Sequence, residues 1–122
     1  MIDGEVNRRW EAVIDLAVRG NQGREIVLDV VIDTGFTSYL TLPLSVIESL
    51  ELSHEGAEMI GLGDGSQVLT QLYAARARIN ESWSPIIVQQ SEGDILAGMA
   101  LLEDMLLTIE VVQSGRVTVD DL

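Results

Sequence analysis

Residues 25–37 read Glu25-Ile26-Val27-Leu28-Asp29-Val30-Val31-Ile32-Asp33-Thr34-Gly35-Phe36-Thr37. Ile26, Leu28, Val30 and Ile32 alternate onto one face, the period of a β-strand. The other face mixes Val27 and Val31 with Glu25 and Asp29, which predicts a strand whose far end is covered on both sides. The strand runs straight into Asp33-Thr34-Gly35. A carboxylate at the end of an apolar strand is costly to leave without partners. Thr34 adds a hydroxyl, and Gly35 lets the backbone approach another group closely.

The same period extends outward. Before this strand, Ala12, Ile14, Leu16 and Val18 alternate with Glu11, Asp15 and Arg19, and Gly20-Asn21-Gln22-Gly23 reads as a hairpin turn. After it, Tyr39 to Leu42 is a short strand, and Pro43 suits the first turn of a helix over Pro43 to Leu50. Ala57 to Leu62 and Val68 to Ile79 flank a Gly-rich hairpin tip, Gly61 to Ser66, with Asp64-Gly65 as a two-residue turn signal. Pro85 to Gln89 is a further strand. Ile95-Leu96-Ala97-Gly98 leads into a second short helix, through Asp104. Leu107, Ile109 and Val111 alternate, Gln113 to Arg116 turns, Val117 and Val119 form the last strand, and Asp120-Asp121-Leu122 is expected to fray. About seven or eight short strands and two short helices predict a mainly β, barrel-like or sandwich domain. One domain, 1–122, is expected, with an ordered core over about 10–119. A strand, Asp33-Thr34-Gly35 and a helix early in the chain are weakly echoed by a strand, Leu96-Ala97-Gly98 and a helix late in it.

Composition narrows the chemistry. The chain has 122 residues, enough for one domain with a real core. Apolar residues make up 47% and aromatics 4%, so the core is aliphatic. The absence of cysteine excludes disulfides, thiolate zinc sites and cysteine nucleophiles. With one histidine, His54, a His-rich metal site is excluded within one chain. Seven arginines, no lysine and 20 acids give a formal charge of −13, which repels phosphate backbones and anionic lipid. No nucleic-acid or membrane partner is therefore expected. The first ten residues hold no apolar run, so no signal peptide is expected and a cytoplasmic location is the default.

The order of apolar strand, Asp33-Thr34-Gly35-Phe36-Thr37, Tyr39-Leu40-Thr41-Leu42-Pro43, Gly61 to Ser66 hairpin and Ile95-Leu96-Ala97-Gly98-Met99-Ala100-Leu101-Leu102 resembles the retropepsin-like aspartic proteases, in particular small bacterial single-domain members. The resemblance spans about Glu11 to Val119. It implies a closed, barrel-like acid-protease fold with one or two short helices. It also implies an endopeptidase that needs no cofactor and no metal. Hydrolysis without a metal needs one carboxylate to activate water and one carboxylic acid to protonate the carbonyl oxygen. Two close aspartates sharing one proton supply both. This chain has one Asp-Thr-Gly, so the resemblance implies a homodimer with Asp33 from each copy at the two-fold axis.

Within that resemblance the catalytic residues are Asp33, Thr34 and Gly35. Thr34 would lock the two loops together, and Gly35 would give the carboxylate a backbone N–H. Phe36, Gly61, Leu62, Gly63, Asp64, Gly65, Leu96, Ala97 and Gly98 would contact an extended peptide or protein substrate or support its site, with Gly61 to Gly65 as a closing flap. Three residues depart from the familiar pattern. Phe36 replaces a small residue, Ala100 replaces a polar one, and Asp64 puts an acid at the flap tip. Other residues have plainer readings. His54 is a solvated histidine in a polar loop, and Asp94 belongs to a loop. Trp10 and Trp83 are packing residues at an edge or interface, and Met99 and Met105 are core or interface fillers. Two competing functions stand beside the protease: a non-catalytic peptide- or protein-binding module on the same fold, and a small acidic protein that masks a basic partner.

Overall fold

A computed structural model describes all 122 residues. It contains ten strands and one helix: β1 (Ile2–Val6), β2 (Ala12–Arg19), β3 (Glu25–Ile32), β4 (Leu40–Leu42), α1 (Leu44–Ser49), β5 (Ser53–Gly61), β6 (Gln67–Ile79), β7 (Ser82–Gln90), β8 (Leu96–Ala97), β9 (Met105–Ile109) and β10 (Arg116–Asp121). No helix is long and apolar enough to cross a membrane.

The strands form one sheet in the order β5-β6-β7-β4-β8-β3-β2-β1-β10-β9, and β6 also pairs with β2. That extra pairing bends β2, β3, β8, β4, β7 and β6 into a ring. Only Val18↔Ala77 and Arg19↔Arg76 make the closure, so the ring meets at one point rather than along a full strand. Inside lies an aliphatic cluster that includes Ile14, Leu16, Val18, Val30, Leu40, Val88 and Val117, with no aromatic side chain among its fully buried members. Each such side chain contributes about 1.5–3 kcal/mol relative to exposure. The inward alternation on β2 and β3 is the one read from the sequence. Ile14 faces Val30 and Leu16 faces Leu28 across the ladder.

Four expectations are corrected. Residues 2–6, outside the expected core, form β1 between β2 and β10. Asp120 and Asp121, expected to fray, pair with Leu106 and Met105. His54 lies on β5, not in a loop, opposite Tyr73. The expected second helix does not form. Residues 98–104 make i→i+3 turns, such as Leu101 N–H to Gly98 O at 3.2 Å and Leu102 N–H to Met99 O at 3.1 Å. The amides of Gly98, Met99 and Ala100 instead donate to Tyr39, Phe36 and Ser38. So few residues cannot recover the cost of nucleating an α-helix, and Asp104, at φ 63°, ends the segment.

Candidate active site

Asp33 follows the last residue of β3. Its position is fixed by β8, which runs parallel to β3 with Val31 opposite Leu96 and Ile32 opposite Ala97. The Asp33 N–H donates to Ala97 O at 2.9 Å, which extends that ladder by one bond. The carboxylate turns back over its own loop, where Gly35 N–H donates to Asp33 Oδ1 at 2.9 Å. A Cβ on Gly35 would sit 3.2 Å from that oxygen. Phe36 N–H closes the turn on Asp33 O at 3.1 Å. Asp33 itself is half-buried.

The second motif clamps this loop. Gly98 N–H donates to Tyr39 O at 2.9 Å, Met99 N–H to Phe36 O at 2.8 Å, and Ala100 N–H to Ser38 O at 3.1 Å. The approach is close enough to require glycine. A Cβ at Gly98 would lie 2.2 Å from Ser38 O and 2.7 Å from both Phe36 Cδ2 and Phe36 O. The half-buried Phe36 ring thus lies against Gly98.

Thr41 was not singled out in the sequence. It is buried on β4, where its Oγ1 donates to Asp94 O at 3.1 Å and accepts from Leu96 N–H at 2.9 Å. Glu92 Oε2 accepts the Leu44 N–H at 2.8 Å and so ties the same 92–96 segment to the start of α1. Both contacts join residues far apart in sequence, and no local signal marks them.

The structure thus brings Asp33, Gly35, Phe36, Leu96, Ala97 and Gly98 together. Thr34 is exposed. It shares a cleft of about 300 Å³ with Trp10, Ile32, Ile109 and Val111. Gly61, Leu62, Gly63, Asp64 and Gly65 lie apart from this group, at the exposed end of the β5–β6 hairpin. Their turn is not the expected two-residue one. Gly65 N–H donates to Leu62 O at 3.0 Å, Leu62 N–H donates to Ser66 O at 2.8 Å, and Gly65 has φ 88°. A turn over Leu62–Gly65 that ends on the left-handed Gly65 makes a three-residue hairpin loop. Asp64 serves it by accepting from Ser66 Oγ at 2.5 Å and Ser66 N–H at 2.9 Å. These bonds hold its carboxyl below the ordinary range.

The remaining singled-out residues lie in ordinary settings. His54 Nε2 contacts Gln71 Oε1 at 2.7 Å, and its ring meets Tyr73 edge-on. Arg19 stacks over Trp83 at 4.2 Å. A concavity of about 930 Å³ lies on the outward face of β1–β3 and does not include Asp33. Asp15 and Asp29 face each other there. A hydrogen bond with Asp29 raises the Asp15 pKa, helped by desolvation and by repulsion from Asp29. No group of three His or acidic side chains is arranged to hold a metal ion. Compared with protein-family models and with curated proteins, the chain finds no match.

Proposed function

We propose that the chain is an aspartic endopeptidase of the retropepsin-like class, acting as a homodimer. Asp33 of each copy meets at the two-fold axis, and the pair shares one proton. The ionised member takes a proton from water as the water attacks the scissile carbonyl carbon. The protonated member donates to the carbonyl oxygen. The pair titrates as a unit, so activity follows a bell-shaped pH profile. The β5–β6 hairpin closes over an extended peptide and excludes water. The same reading takes the protein as cytoplasmic and gives it no nucleic-acid, membrane or cofactor partner.

The observation that supports this best is the clamped loop. Asp33 is half-buried, held by Ala97 O through its own N–H and by Gly35 N–H through its carboxylate. A carboxylate fixed this way pays little to reach reactive geometry. Cleavage of a mixed peptide library tests the reading. Asp33→Asn should abolish cleavage while leaving the circular dichroism spectrum intact, and undiminished cleavage by that variant would refute the dyad. A folded chain that binds peptides and cuts none supports the binding-module alternative.

A further inference from the structure

The chain sets seven arginines against 20 acids, yet three of those arginines gather on one face of the sheet. Arg19 ends β2, and Arg76 stands directly opposite it, where β6 closes the ring. Arg78 is two residues further along β6, opposite Trp83 on β7. Directly opposed residues project to the same side of a sheet. That side is the outward one, because Ala75 and Ala77, which flank Arg76, are buried in the core. Arg76 and Arg78 are exposed. Arg19 is half-buried, with its guanidinium over the Trp83 ring at 4.2 Å.

These three guanidinium groups have donors to spare. The ion pairs and side-chain hydrogen bonds that arginines make in this chain belong to Arg9, Arg24 and Arg116. Stacking on Trp83 engages the face of the Arg19 guanidinium and leaves its in-plane N–H groups open. Glu25 stands opposite Arg19 on β3 without pairing to it. Like charges directly opposed, as Arg19 and Arg76 are, destabilise a sheet. A carboxylate lying over both would turn that repulsion into attraction.

The extent of the patch selects its occupant. Arg76 and Arg78 lie about 7 Å apart along the strand, the spacing of alternate side chains on any extended chain. Beyond the patch the surface turns acidic. Glu25, Asp29 and Asp15 continue the outward face of β2–β3, and Glu81 follows β6. A nucleic-acid strand, with a phosphate every ~3.4 Å, would run over these acids. A short segment with two carboxylates stays within the arginines. At Arg76, β6 is paired on both sides, with β2 and β7, so recognition falls to side chains.

We propose that Arg19, Arg76 and Arg78, backed by Trp83, form a docking surface for an extended acidic peptide segment with carboxylates at alternate positions. Each guanidinium presents paired N–H donors that match a carboxylate. The surface lies at the far end of the eight-residue β3 from Asp33, roughly 25 Å along the strand. It is therefore separate from the candidate active site and stands whether or not the chain cuts peptides.

Titration of the full chain with a peptide of alternating Glu and Thr tests it. Trp10→Phe leaves Trp83 as the one tryptophan, and its fluorescence should change saturably at low salt and less as salt is added. Calorimetry on the unaltered chain gives the same constant independently. Arg76→Gln with Arg78→Gln should raise the dissociation constant about fivefold or more, the scale of two exposed ion pairs. Arg8→Gln with Arg9→Gln removes the same charge elsewhere and should raise it less than about twofold. Glu25→Gln removes a competing acid and should tighten binding by about twofold. All five substituted positions are exposed, and circular dichroism checks the fold. Equal weakening by the two double variants overturns the surface, as does the absence of saturable binding by both methods. An oligonucleotide that binds more tightly than the peptide, and is weakened as much by Arg76→Gln with Arg78→Gln, overturns the peptide as occupant.

Discussion

Gly98→Ala is the substitution that most directly probes how the Asp33 loop is held. The added methyl would sit 2.2 Å from Ser38 O and 2.7 Å from Phe36 O and Phe36 Cδ2. Two of these atoms are main-chain carbonyl oxygens, which no rotamer change can move. The 36–39 loop must therefore shift away from residues 98–100. Three hydrogen bonds cross that contact, from Gly98, Met99 and Ala100 to Tyr39, Phe36 and Ser38. Forced overpacking costs about 1–3 kcal/mol, and each weakened bond adds up to about 1 kcal/mol. A loss of roughly 2–4 kcal/mol follows, a large share of the ~5–15 kcal/mol that holds a domain together. The thermal midpoint should fall by roughly 10 °C. Urea unfolding followed by circular dichroism measures the loss. Gly63→Ala is the control, because nothing lies within 4 Å of a Cβ at Gly63, and its effect should stay within about 0.5 kcal/mol. A Gly98→Ala loss no greater than that of Gly63→Ala would refute the argument that close approach requires this glycine.

Two further outcomes are expected. Thr41→Val keeps the shape and removes the hydroxyl that bridges Asp94 O and Leu96 N–H. It should cost about 1–3 kcal/mol in urea unfolding, because both main-chain groups lose a buried partner. Asp15 has a raised pKa in the folded chain, so the native state holds its proton more tightly than the unfolded one, and stability falls as pH rises from about 3.8, the ordinary carboxyl value, through the raised folded value. Asp29→Asn should therefore stabilise by a few tenths of a kcal/mol at neutral pH, the usual scale for like charges directly opposed. The gain should vanish in acid, a pattern that melting curves across pH can check.

What the sequence made legible was what depends on near neighbours. The alternation on residues 12–19 and 25–32 gave the β2–β3 hairpin, and Pro43 with Leu44, Ile47 and Leu50 gave α1. Asp33-Thr34-Gly35 and Leu96-Ala97-Gly98 announced themselves as a pair of related motifs, and the structure joins them by β3–β8 pairing. What escaped depends on distant partners. Ile2, Gly4 and Val6 alternate with Asp3 and Glu5, but the stretch is short and half charged, and only β2 and β10 on either side make it a strand. Asp120 and Asp121 look like a solvated tail until β9 pairs with them. The segment after Gly98 has helical composition, yet its first amides are taken by the 36–39 loop. Thr41 looks like any strand threonine, since its partners lie more than 50 positions away.

The loop at Asp33 divides its contacts in a telling way. Its inward main-chain groups are consumed within the chain, by Ala97, Gly98, Met99 and Ala100. That satisfies buried polar groups and fixes the loop before anything binds, so little ordering cost remains for association. Its outward groups are left over. Thr34 is exposed beside Ile109 and Val111, and Gly35 is the one donor recorded on the Asp33 carboxylate. The division also makes the two substitutions independent. Gly98→Ala acts on the scaffold and Asp33→Asn on the proposed chemistry. Because they touch different groups, loss of folding and loss of cleavage can be separated, and a result that moved both together would point to the scaffold alone.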